Sequence, residues 1–97
     1  MGAYLIDQAR PVNRFRDMQV FLAVAEAGSF AVAARRLGIS PASVTRAVTQ
    51  LEERLGTRLL LRSTRRVCLT EEGKVFQANC LRIFKQIEDA DTAVKGL

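Results

Sequence analysis

The chain has 97 residues, 48% of them hydrophobic and 26% charged, which is the balance of one globular domain, not of two domains or a disordered segment. It has no histidine and only two cysteines, Cys68 and Cys80. Ser-His-Asp and Cys-His catalysis, His-ligated metal and a Cys₄ zinc site are therefore all missing their residues, and we expect no enzyme activity, no metal and no cofactor in this chain. Fifteen Lys and Arg against ten Asp and Glu give a net charge of +5, a bias that suits a polyanionic partner.

Residues 1–12 show neither a helical nor a strand period and end on Arg10-Pro11, a break signal. They read as a flexible leader, in part an added segment, with neither the basic start nor the apolar length of a signal peptide. No apolar run approaches the length of a membrane span, so a membrane partner is not expected. Both cysteines read as small buried hydrophobes in a reducing cytoplasm.

From Arg16 an amphipathic period begins, with Met18, Phe21, Leu22 and Ala25 on one face of a first helix that Gly28 ends. Ser29 then caps a second, shorter helix with Phe30, Ala33, Ala34 and Leu37 as its apolar stripe, closed by Gly38. Ser40-Pro41 opens a third, a hydroxyl N-cap followed by proline at the first helical position. Its stripe is Val44, Val48, Leu51 and Leu55, and Gly56 closes it. Two short β-prone runs follow, Arg58 to Arg62 and Arg66 to Thr70, and they predict a small hairpin from which Leu59, Leu61 and Val67 pack back on the helices. Thr70 caps a last helix, with Glu71 and Glu72 in its first turn, running to about Lys95.

The second helix, a tight Gly38-Ile39-Ser40 connection and the third helix predict a helix-turn-helix. Removing the apolar stripe from the third helix leaves Pro41, Ala42, Ser43, Thr45, Arg46, Thr49 and Gln50, with no acid before Glu52. Small and hydrogen-bonding residues allow close approach to base edges, and Arg46 can pair with guanine O6 and N7. The basic residues before Lys74 are all arginine, and residues 38–70 hold six of them against Glu52 and Glu53. Arginine grips phosphate in two-pronged fashion. Arg58, Arg62, Arg65 and Arg66 suit a wing that follows phosphates or enters the minor groove. The candidate DNA-binding set is Ser40, Pro41, Ala42, Ser43, Thr45, Arg46, Thr49 and Gln50 on the third helix. Arg35, Arg62, Ser63, Thr64, Arg65 and Arg66 join it for wing and backbone contacts. The alternative, a winged-helix protein-interaction module, would put acids or apolar patches on that outer face, where this sequence has neither.

Along the last helix Phe76, Cys80, Ile83, Ile87, Ala90 and Val94 repeat at heptad spacing, a seam that predicts dimerisation. Leu81 and Phe84 fall off that seam and are placed on the three-helix body. The expected fold is mainly α: a winged helix-turn-helix of three helices and a two-stranded wing over residues 13–70, then a linker or dimerisation helix over 71–97.

Phe21 to Gly73 resembles the DNA-binding domain of LysR-type transcriptional regulators. The resemblance rests on the A-x-A-G-S-F run at Ala25–Phe30, A-A-R-R-L-G at Ala33–Gly38 and Val44-Thr45-Arg46. Leu51-Glu52-x-x-Leu55-Gly56-x-x-Leu59-Leu60, R-S-T-R at Arg62–Arg65 and Leu69-Thr70-x-x-Gly73 follow at family spacing. It implies a cytoplasmic, nucleoid-associated bacterial regulator that binds double-stranded DNA at an imperfect palindromic operator. It also implies a homodimer through the last helix, with a tetramer open to a full-length protein. Base contacts would come from Pro41, Ala42, Thr45 and Arg46, with Arg65 in the minor groove. Many members carry Gln where Pro41 stands, Pro where Ala42 stands and Ser where Thr45 stands, so one hydrogen-bonding side chain is missing here and one methyl is added. Such regulators continue into a two-lobed effector-binding domain, of which this chain holds nothing, and it reads as an excised DNA-binding region, with a natural short protein as the alternative.

Overall fold

Asn13 opens the first helix, its side-chain oxygen accepting the Arg16 N–H at 3.0 Å, one of the donors that a helix start leaves unpaired. In the computed structural model, which describes residues 13–63 and 66–97, α1 runs Arg14–Ala27, α2 Phe30–Leu37 and α3 Pro41–Leu55. Strands β1 (Leu60–Arg62) and β2 (Val67–Leu69) follow, then α4 (Glu71–Lys95). The leader, Thr64 and Arg65 lie outside the described residues.

The caps fall where the sequence placed them. Ser29 Oγ accepts the Val32 N–H at 3.1 Å, Ser40 Oγ accepts the Ser43 N–H at 3.1 Å, and Thr70 Oγ1 accepts the Gly73 N–H at 2.8 Å. Gly28 sits in the left-handed region at φ 66°, which an L side chain adopts only under strain. That turn points the Gly28 carbonyl at the wing, where it accepts the Val67 N–H at 3.3 Å.

The core forms where α1, α2 and α3 meet: Val20, Phe21 and Val24, then Ala33 and Ala34, then Val44, Ala47, Val48 and Leu51. Leu59 and Leu60 enter the same cluster from the root of the wing. The α1 stripe is centred nearer Val20 and Val24 than the expected Leu22 and Ala25, which are half-buried. Leu37 and Leu55, last residues of their helices, are exposed because the chain leaves the core at each glycine cap.

The wing is an antiparallel ladder of three pairs, Leu60 with Leu69, Leu61 with Cys68 and Arg62 with Val67. Side chains alternate across a strand, so with Leu60 inward Leu61 points out and is 58% exposed. This corrects the expectation that Leu61 packs on the helices. Cys68, opposite Leu61, is exposed as well, and only Cys80 is the buried thiol expected of both; each is free. Burial pushes the Cys80 thiol up to about 11, since an apolar surrounding penalises the thiolate.

Helix α4 lies on the body through Gly73, Phe76, Cys80 and Phe84. A Cβ on Gly73 would fall 2.1 Å from the Leu59 carbonyl oxygen, so the missing side chain is what lets α4 reach the wing root. The Phe76 ring packs against Phe21 at 5.5 Å, Cys80 is fully buried, and the Phe84 ring meets the edge of Phe15 at 6.3 Å. Leu81, expected on the body beside Phe84, is instead 55% exposed, because the packed stripe is carried by positions spaced three and four from Gly73. From Lys85 onward every α4 residue is exposed.

Candidate nucleic-acid interface

Helix α3 is held by its inner face and shows the other. Val44, Val48 and Leu51 are fully buried, while Pro41, Ala42, Thr45, Arg46 and Gln50 are exposed and Ser43 and Thr49 half-buried. Pro41 and Ala42 keep the first turn low, and Arg46, one turn further along, extends beyond it. Arg46 makes no ion pair among the described residues, nor does Arg35 on the last turn of α2. Their guanidinium donors are available to a partner.

Three hydroxyls of the expected DNA-binding set, those of Ser40, Ser43 and Ser63, have local work. Ser40 Oγ accepts the Ser43 N–H and donates to Ser43 Oγ at 2.9 Å, so the pair first serves as the cap of α3. On the wing, Ser63 Oγ accepts the Arg66 N–H at 3.0 Å and donates to the Arg66 carbonyl at 3.1 Å, which ties the residue after β1 to the residue before β2. Thr64, expected among the wing and backbone contacts, and Arg65, expected in the minor groove, lie outside the described residues. Arg66 is exposed beside them in sequence.

Arg62 is placed by an aromatic ring. Its guanidinium carbon lies 4.4 Å from the centre of the Phe30 ring, at the first residue of α2. A groove between the C-terminal half of α3 and the wing is lined by Thr49, Glu52, Arg58 and Arg62. Its floor is an acid to which the sequence pattern assigned no role in the fold or the site. Glu52 is buried, and its Oε2 accepts the N–H of Leu59 at 2.8 Å and of Leu60 at 3.2 Å. Arg58 Nε stands 3.6 Å from the same oxygen. The signal was present: Glu52 lies four residues after buried Val48, on the inward stripe.

A second buried acid, Asp17 on α1, faces Arg54 of α3 at 3.6 Å. Burial raises its pKa above the usual 3.8, against the opposing pull of Arg54 and Arg16. The pair fixes the outer end of α3 to α1. No described helix is long and apolar enough to cross a membrane.

A short α2, a glycine turn, a partly exposed α3 and a two-stranded wing define a winged helix-turn-helix domain. Residues 15–74 match the model of the bacterial regulatory helix-turn-helix proteins of the lysR family. The chain belongs to that family and carries its DNA-binding helix-turn-helix. An HTH-type transcriptional regulator of Xanthomonas campestris pv. campestris (strain 8004) is 49% identical to it over 81 residues, 84% of this chain and 24% of the relative. The HTH-type transcriptional activator AaeR of Escherichia coli (strain K12) is 41% identical over 78 residues, 80% of this chain and 25% of the relative. The chain thus spans about a quarter of the length of these relatives. Among solved structures, the CbnR DNA-binding domain in complex with DNA superposes with a TM-score of 0.80 at 39% identity, over 84% of this chain and 94% of that one. The BenM DNA-binding domain on its catB site 1 DNA gives 0.80 at 33% identity, over 84% and 90%.

Proposed function

We propose that this domain binds double-stranded DNA sequence-specifically, as a homodimer on an imperfect inverted repeat, and serves the regulation of transcription. The observation that carries the reading is the outer face of α3. It is small near its N-terminus, free of acid before Glu52 and crossed by Arg46, which has no ion pair among the described residues. A recognition helix needs such a surface to enter a major groove. The similar CbnR and BenM domains were each solved on DNA, and the similar AaeR is described as a transcriptional activator.

Recognition falls to Pro41, Ala42, Thr45, Arg46 and Gln50, with Thr49 at the groove edge. Arg35, Arg62 and Arg66 take the phosphates, and Arg65 enters the minor groove. The dimer surface is the exposed part of the α4 seam, Ile83, Ile87, Ala90 and Val94, because Phe76 and Cys80 are spent on the protomer's own core. A two-fold pair of α3 helices then reads the two half-sites. No cofactor is assigned to these residues, and the reading places the protein in the cytoplasm with its DNA.

Selection from randomised duplex DNA tests it. The expected product is an inverted repeat whose half-sites lie about one helical turn apart or a multiple of it. Recovery of unrelated sequences, bound with the affinity of random DNA, overturns the reading.

A further inference from the structure

We propose that Glu52 is a positioning residue for DNA binding: its carboxylate fixes the wing relative to α3, so that both meet one duplex in register. The proposal rests on the DNA-binding reading above and adds to it the element that couples its two contact surfaces.

A ladder of three residue pairs is too short to set its own orientation, so the tethers at its root must do so. Toward α1 the tether is the Val67 N–H on the Gly28 carbonyl at 3.3 Å. Toward α4 the Thr70 N–H donates to the Leu59 carbonyl at 2.9 Å and the Thr70 hydroxyl to the Arg58 carbonyl at 2.7 Å. Toward α3, among the described residues, it is Glu52 Oε2, which accepts both the Leu59 and the Leu60 N–H. The backbone carbonyl of the same residue accepts the N–H of Gly56 at 2.8 Å and of Thr57 at 3.2 Å. One residue therefore closes the recognition helix and starts the wing.

The chemistry favours a stiff joint. A carboxylate oxygen accepting two N–H groups makes charge-assisted bonds, shorter and stronger than neutral ones. Both amides are buried, so without the acceptor they pay their desolvation cost in place or shift to find another partner. Arg58 directly precedes these amides and Arg62 follows them on β1, so any shift at the root carries both with it. Two contact surfaces reinforce each other only while the link between them holds the right geometry. Loosening the Glu52 joint should therefore remove the benefit of the wing and spare the contacts of α3.

The probes are the duplex recovered by the selection above and the same duplex shortened at both ends to the α3 half-sites, which removes the flanking phosphates along with their bases. The ratio of the two dissociation constants measures the contribution of the wing, each variant being read at a temperature where circular dichroism shows it folded. Glu52→Gln keeps one oxygen able to accept both amides, and its ratio should match wild type within about twofold. Glu52→Ala should bring the ratio toward one while binding to the shortened duplex changes by no more than about twofold. Its slope of log K against log salt should flatten by about 0.9 for each phosphate that the wing ceases to neutralise.

A ratio unchanged in Glu52→Ala, with affinity falling equally on both duplexes, would show a core residue without a positioning role. A wild-type ratio of one removes the wing's contribution and the proposal together. If Glu52→Ala does not fold, Glu52→Asp, which keeps the charge but withdraws it by one methylene, is read in the same way. If neither shortened variant folds, Glu52 serves stability alone and the proposal falls. Failure of the selection itself would overturn the DNA-binding reading instead, so the two failures are distinguishable.

Discussion

The guanidinium of Arg62 on β1 lies 4.4 Å over the ring of Phe30 at the start of α2. A wing residue and the front edge of the helix-turn-helix thus hold each other. A cation on an aromatic face at a largely exposed site gains about 0.5–1 kcal/mol. Phe30→Leu and Arg62→Ala should therefore show a coupling of about that size in a double-mutant cycle of urea unfolding. Additive effects would mean that the contact carries no energy.

Gly73→Ala should be far more costly than alanine in a helix usually is. Alanine is the better helix former by about 1 kcal/mol, yet here its Cβ meets the Leu59 carbonyl oxygen at 2.1 Å. That oxygen is already fixed by the Thr70 N–H at 2.9 Å, so it cannot retreat without breaking the wing root. We expect a net loss of about 1–3 kcal/mol, the scale of overpacking a filled core. A midpoint in urea equal to or above wild type contradicts this geometry.

The caps and the helix order were legible because each depends on a few neighbouring residues: Ser29, Ser40 and Thr70 all cap as their positions imply. The outer face of α3 was legible by the same local rule, with the inner stripe of Val44, Val48 and Leu51 removed. What the pattern missed depends on contacts across the fold. The burial of Glu52 is set by amides seven and eight residues later, and the place of Arg62 by a ring on another element. The seam of α4 misled for a related reason. Heptad spacing records that Phe76, Cys80 and Ile83 share a face, but not whether the protomer or a second copy covers it. Phe21 settles that for Phe76.

Asp17 predicts a pH dependence whose sign follows from burial. Burial lifts its pKa in the folded chain above 3.8, with Arg54 pulling it back. The folded state therefore binds the proton more tightly than the unfolded state, and this group favours folding most in acid. Its stabilising share declines as the pH rises from the unfolded value through the folded one, and is constant above. Relative to Asp17→Asn, the wild-type domain should gain stability between neutrality and about pH 4. Urea midpoints of both proteins across that range check it, and a wild-type loss relative to the variant would reverse the sign.

Arg46→Ala should separate base reading from simple charge. Arg46 is the long cation on a face of small and neutral residues, and it has no ion pair among the described residues. If it reads a guanine edge, its loss costs about 1–3 kcal/mol on the selected duplex and relaxes the preference at a single base position. Binding to random duplex should change much less. Equal losses on selected and random DNA would move Arg46 to a phosphate.

The dimer prediction concerns the outer half of α4. Ile83 is 38% and Ile87 41% exposed, and Val94 is more open still, a row of apolar side chains that a solitary helix has no reason to show. A second copy would cover them, at about 0.8 kcal/mol for each methylene taken from water. A seam this short gives an association that depends on concentration in free solution and firms on DNA, where two half-sites hold the protomers together. Ile83→Lys combined with Ile87→Lys should leave the fold intact, since neither side chain is buried in the protomer's core. It should abolish binding to the inverted repeat and leave weak contact with a single half-site. Sedimentation equilibrium, alone and with the selected duplex, decides between the outcomes: a wild-type chain that stays monomeric in both, or a double variant that still dimerises, removes α4 as the dimer surface.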